Sequence, residues 1–145
     1  MEKKVTVRDL LDSFDGMSNI GQVPTDAYRA LKIAQNLRVL RMEGNVLIAR
    51  RREIMDKFKN VRPVHMPYGN TLYAPFPDGW GNENSDELIA QQTVMQKEFN
   101  LALLVFSAET IDIVLPGIVP EEDLPDGITG VDVEKCWWLM EGFEK

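Results

Sequence analysis

The sequence predicts a mainly helical α+β fold: a long antiparallel helical hairpin with a small β element and a C-terminal helix. Three observations predict it. Apolar residues recur in steps of three and four over two long stretches, 24–59 and 85–108, and this is the period of an amphipathic helix. Between them lies a stretch rich in Pro, Gly and aromatic residues. After them the period switches to alternation at Ile111, Ile113 and Leu115, the mark of a short strand.

A short helix is expected first, over 6–20. Thr6 suits its N-cap and Asp9 its first turn, where the helix dipole favours negative charge. Val7, Leu10, Leu11, Phe14 and Met17 line one face, and Gly21 is the expected stop. The long helix is expected to open at Pro24 or Thr25, because the N–H that Pro lacks has no partner in a first turn anyway. Ala30, Ile33, Leu37, Leu40, Gly44, Leu47, Arg51, Ile54 and Phe58 form a heptad-like seam running to about Lys59. Gly44-Asn45 is its expected weak point, since Gly costs about 1 kcal/mol relative to Ala in a helix interior.

The stretch 60–84 holds Pro63, Pro67, Pro75 and Pro77 with Tyr68, Tyr73, Phe76 and Trp80. Gly69-Asn70 between two short apolar runs reads as a small hairpin or an ordered loop. In 85–108, Asn84 with Glu87 resembles a capping box, and Leu88, Gln92, Met95, Phe99, Ala102 and Phe106 supply the seam. The run Leu101–Phe106 is apolar on every side, so burial of this end is expected. In the tail, 110–145, Ile128-Thr129 is expected to pair with the strand over 111–115. Thr129 with Asp132 then opens a last helix carrying Val133, Trp137, Met140 and Phe143.

The 145 residues, 44% hydrophobic and 27% charged, fit one globular domain and exclude wholesale disorder. The net charge of −7 argues against non-specific binding of nucleic-acid backbone by the whole surface. The charge is unevenly laid out. Residues 26–62 carry ten basic and four acidic side chains; residues 105–145 carry two basic and ten acidic ones. With one Cys and one His, Cys136 and His65, the chain can build neither an internal disulfide nor a Cys/His zinc site. The apolar run of six is far below the ~20 residues needed to span a bilayer. The charged start, Met1 to Asp9, does not read as a signal peptide. A soluble protein of the cytoplasm is expected.

No stretch carries recognisable chemistry. Asp9, Asp12 and Asp15 sit where an amphipathic helix places polar residues. Glu121, Glu122, Asp123 and Asp126 do not have EF-hand spacing, and Gly79-Trp80-Gly81 lacks the phosphate-loop pattern. No catalytic residue, cofactor or metal is therefore expected. The candidate interaction residues are Arg50, Arg51 and Arg52 on the long helix, Tyr73, Phe76 and Trp80 in the aromatic stretch, and Trp138 in the tail.

Val5-Thr6-Val7-Arg8-Asp9-Leu10-Leu11, then Val23-Pro24-Thr25-Asp26-Ala27-Tyr28-Arg29-Ala30, then the long basic helix and the acidic tail 128–143 resemble in layout a group of small uncharacterised phage-encoded proteins. The resemblance implies a phage origin, in the host cytoplasm or on the virion, and supplies no catalytic residue. The expected function is a non-catalytic interaction or assembly protein whose partner is another copy, another phage protein or a host protein. The alternatives are an acidic inhibitor of a host enzyme or defence complex and, weaker, a nucleic-acid binder acting through the basic helix.

Overall fold

A computed structural model of the chain describes residues 2–69, 71–117 and 121–140. It is mainly helical, with four α-helices and two small two-stranded sheets among those residues. Two compact units are distinguishable: Met1–Ile48 with Ser107–Lys145, and Ala49–Phe106.

The first unit starts with a strand, β1 (Glu2–Thr6), that alternation did not reveal. Three of its five residues are charged, and Val5 alone is buried. The expected partner of the 111–115 strand was Ile128-Thr129. Instead, β4 (Thr110–Val114) pairs antiparallel with β1, in the register Lys3 opposite Ile113 and Val5 opposite Ile111. Thr129 instead opens the next helix: its side chain accepts from the Asp132 amide and its carbonyl from the Val133 amide.

Helix α1 (Val7–Ile20) follows β1 without a break. Thr6 Oγ1 accepts from the Asp9 amide at 3.1 Å, as its position before the apolar period demands. Gly21 ends the helix with φ −65°, so the stop does not use the left-handed conformation that favours glycine. Helix α2 (Ala27–Asp56) begins later than Pro24 or Thr25, because Asp26 Oδ1 takes the Arg29 amide at 2.9 Å. It runs unbroken through Gly44-Asn45. Gly44 is buried against the Phe14 ring: a Cβ there would lie 2.4 Å from Phe14 Cδ2. The glycine expected to weaken α2 is thus the site where α1 packs on it.

Helix α4 (Gly130–Lys135) is capped by Thr129 Oγ1, which accepts from Asp132 N at 3.3 Å. The expected run to Phe143 is not one helix. It ends at Lys135, gives way to a 3-10 turn over Trp137–Leu139, and Phe143 lies outside the described residues. α4 packs tightly on α1. At Gly16 a Cβ would meet Cys136 Sγ and Lys135 Cβ at 2.8 Å and the Asp132 carbonyl oxygen at 2.9 Å. Polar contacts flank this joint: Asn19 Nδ2 donates to Asp132 Oδ1 at 3.0 Å, Lys135 pairs with Asp15, and Trp138 Nε1 donates to the Asp9 carbonyl at 3.3 Å. Val7, Leu10, Met17, Ile20, Leu40, Ile113 and Leu139 form the dry centre of the unit.

The second unit combines the last turns of α2, a hairpin and helix α3 (Asp86–Ala108). The hairpin strands β2 (Arg62–His65) and β3 (Thr71–Ala74) pair antiparallel, and Gly69 takes φ +82° between them. Asn60, at φ +49°, turns the chain out of α2. Its side-chain amide donates to the Phe76 carbonyl and to Asp78 Oδ1, at 3.2 and 3.1 Å. α3 is capped by Ser85, whose Oγ accepts from the Leu88 amide at 3.2 Å. Asn84, the expected cap, is held by the preceding turn, where it accepts from Gly81 N and donates to Gly81 O. Phe58 meets Phe99 edge to face at 5.2 Å, and the Arg50 guanidinium lies 5.2 Å from the Phe106 ring centre. Gln92 Nε2 donates to the Pro75 carbonyl at 3.3 Å, tying the loop after β3 to α3.

Candidate functional site

At 100° per residue, the side chains of α3 divide between two opposite faces. Leu88, Gln92, Met95, Phe99, Ala102, Leu103 and Phe106 fall on one, and every one of them is buried or half-buried. Ala90, Val94, Lys97, Leu101, Leu104 and Val105 fall on the other, and all are exposed. The large apolar members of this second face are between 56% and 66% exposed, and Ile89 flanks them at 48%. Burial was expected for Leu101–Phe106. Only Phe106 meets it, and Leu101, Leu104 and Val105 stand in solvent. α3 therefore carries two apolar stripes, of which its own unit covers one. Contiguous exposed apolar patches rimmed by polar residues are where partners and ligands often bind.

α2 shows a lesser version. Tyr28, Leu31, Met42 and Val46 are each about 60% exposed and share a side, but Gln35 and Arg38 interrupt the row.

On the covered side of α3 lies a groove of about 660 Å³. Met55 from α2, Val64, Met66 and Leu72 from the hairpin, and Phe99 and Leu103 from α3 give it an apolar floor. Arg51, Thr71, Tyr73, Gln96 and Asn100 add polar groups. Gln92, Gln96 and Asn100 are linked in a chain of side-chain hydrogen bonds at 3.2 and 2.9 Å, one helical turn apart. This ordered row leaves Gln96 and Asn100 oriented at the groove.

The seven residues singled out from the sequence do not converge. Arg51 and Tyr73 share the groove. Arg50 is laid over the Phe106 ring, and Arg52 is exposed without lining the groove. Successive helical residues point about 100° apart, so the triple arginine forms no single cationic patch. Phe76 and Trp80 pack on each other at 5.2 Å, with Arg62 5.6 Å from the Phe76 ring centre, and both rings are half-buried. Trp138 belongs to the first unit, half-buried, with its indole N–H on the Asp9 carbonyl. The sequence reading missed Val94, Leu101, Leu104 and Val105 as a surface. Their signal was present: a second helical period, offset from the first.

Two titratable groups at the α1–α4 joint are shifted from their ordinary values. Burial pushes the Cys136 thiol up to about 12, with the nearby Asp132 and Asp15 carboxylates adding to the shift. The thiol sits 3.5 Å from the Ser13 carbonyl, buried at the α1–α4 joint, and is neutral at physiological pH. The Lys135 ammonium is held above its ordinary value, first by its hydrogen bond to Asp15 and then by that carboxylate's charge. His65 Nδ1 lies 3.3 Å from Thr71 Oγ1 across the hairpin, an exposed cross-strand contact. Among the described residues no three His, Cys, Asp or Glu side chains cluster as metal ligands would, and no helix is long and apolar enough to cross a membrane.

Comparison with protein-family models, curated proteins and solved structures finds no match for this chain.

Proposed function

We propose that the protein acts by binding another protein through the bare apolar face of α3, as a non-catalytic assembly or interaction component. The carrying observation is that Val94, Leu101, Leu104 and Val105 stay more than half exposed on a helix whose opposite face is packed. Burying a side chain of this size contributes roughly 1.5–3 kcal/mol, and within the chain that stabilisation is left unused. The order of contacts, Arg50 with Phe106 and Phe58 with Phe99, supports an antiparallel helical hairpin as the rigid support of this face. The groove with Arg51, Tyr73, Gln96 and Asn100 lies on the same hairpin and offers a second foothold for a partner.

The layout shared with small phage-encoded proteins supports a place in particle assembly. Its gene then belongs among head or tail genes, and a position among early anti-host genes would remove that part of the reading. The binding itself is tested by recovery of partners from cells that express the protein. Wild type recovers a partner, or a differently tagged copy of itself, and the double variant Leu101→Lys, Leu104→Lys does not. Equal recovery by both, with equal circular dichroism, overturns the proposal.

A further inference from the structure

The groove between the hairpin and the helices of the second unit has walls that specify a chemistry. Its volume, about 660 Å³, falls in the range that holds small molecules. Its walls are apolar at Met55, Val64, Met66, Leu72, Phe99 and Leu103, and among the described residues lining it Arg51 alone carries a charge. That charge is uncompensated. Among the described residues Arg51 makes no ion pair or side-chain hydrogen bond, and the residues one turn away on α2 are Leu47, Ile48, Ile54 and Met55. A second donor comes from α3. Gln92 Nε2 donates to Gln96 Oε1 and Gln96 Nε2 to Asn100 Oδ1, so the last amide of the row keeps its own N–H groups for something outside it.

Two donor groups, one of them cationic, therefore stand at a groove whose walls are otherwise largely apolar. An ionised carboxylate is their complement: it only accepts hydrogen bonds, and it takes a guanidinium in a two-pronged pair. We infer that this groove binds a small amphipathic carboxylate, a medium-chain fatty acid. Its chain lies against Met55, Met66, Leu72 and Leu103, and its head group meets Arg51 and Asn100. An alkylamine would set cation against cation, and an alcohol would leave the guanidinium without a counter-charge. This ligand goes beyond the docking role proposed for α3, whose bare stripe is on the opposite side of that helix. A peptide ending in apolar residues presents the same chemistry, and the experiment tells the two apart.

Methionine methyl resonances read this directly. Met55 and Met66 line the groove, Met42 stands in solvent on α2, and Met95 lies beside Val94 of the bare stripe. Titration of decanoate into the full chain should shift Met55 and Met66 and leave Met42 and Met95 in place. Arg51 is exposed, so Arg51→Gln leaves the fold intact. That variant should bind decanoate roughly tenfold more weakly and decanol as wild type does. Decyltrimethylammonium should bind wild type more weakly than decanoate. No shift at Met55 and Met66, equal shifts at Met42 and Met95, or full decanoate binding by Arg51→Gln overturns the inference. Acetyl-trileucine with a free C-terminus is the last arm: its binding at Met55 and Met66 in preference to decanoate overturns the fatty-acid ligand and gives the groove to a partner's chain end. The docking role of the bare stripe is read separately, by partner recovery with Leu101→Lys, Leu104→Lys.

Discussion

The two units treat similar apolar material differently. In Met1–Ile48 with Ser107–Lys145, small residues sit where elements meet: Gly16 under Cys136 and Lys135, Gly44 under Phe14. Backbones approach closely there, and Leu10, Met17, Ile20, Leu40 and Leu139 are sealed from water. In Ala49–Phe106 the contacts are made by large side chains reaching across, Phe58 to Phe99 and Arg50 to Phe106. Phe99 and Phe106 are covered, while Val94, Leu101, Leu104 and Val105 are not. Apolar content alone therefore does not decide what becomes core. A residue is buried only where another element can approach its face, and on the outer face of α3 nothing within its unit does.

That contrast can be broken most sharply by truncation. Leu10→Ala or Leu139→Ala empties a sealed site and should cost about 2–5 kcal/mol in urea unfolding, while Leu104→Ala should stay within about 0.5 kcal/mol of wild type at low protein concentration. Equal losses at Leu10 and Leu104 would erase the distinction.

The close approaches come next. Gly16→Ala should cost roughly 1–3 kcal/mol, because the added methyl meets a backbone carbonyl as well as two side chains. Gly44→Ala gains about 1 kcal/mol of helix propensity and loses it again to the Phe14 ring. A thermal midpoint above wild type for Gly44→Ala would show that the ring swings clear.

The buried thiol gives a pH signature of the first unit. Its folded value, about 12, lies above the ordinary 9.0 because burial disfavours the thiolate. The folded state thus holds this proton more tightly. The stability it contributes is complete below pH 9 and is lost as pH climbs towards 12. At pH 8 a thiol reagent should label Cys136 in denaturant and barely at all in the native protein; fast native labelling would mean that the α1–α4 joint opens readily. A small effect is expected at the rim of that joint. Lys135 and Asp15 meet in an exposed pair, so Lys135→Met should move the thermal midpoint far less than Gly16→Ala does, and high salt should shrink the difference further.

Much of the local structure was legible. Thr6 and Thr129 cap helices as their positions before an apolar period require, and Gly69 turns the hairpin with positive φ. The seam Phe99 to Phe106 does face its unit. The misses share one cause. β1 was invisible because a two-stranded edge needs only Val5 inward, too little for alternation to register. Ser85 took the cap from Asn84 because the Gly81 turn already held Asn84. Gly44 looked like a weak point because its compensation, the Phe14 ring, is thirty residues away in the chain. Of the candidate surface, Arg51 and Tyr73 were picked out, while the α3 stripe was read as core.

The sequence by itself determined where helices and turns fall, since caps, periodicity and left-handed glycines are set by residues within a few positions of one another. It also determined that α3 has two apolar sides. Which side would be covered was decided only by the tertiary structure. Coverage depends on what arrives from distant parts of the chain: the Phe58 ring, the Pro75 carbonyl and the hairpin all arrive at one side of α3, leaving Leu101 and Leu104 to the solvent.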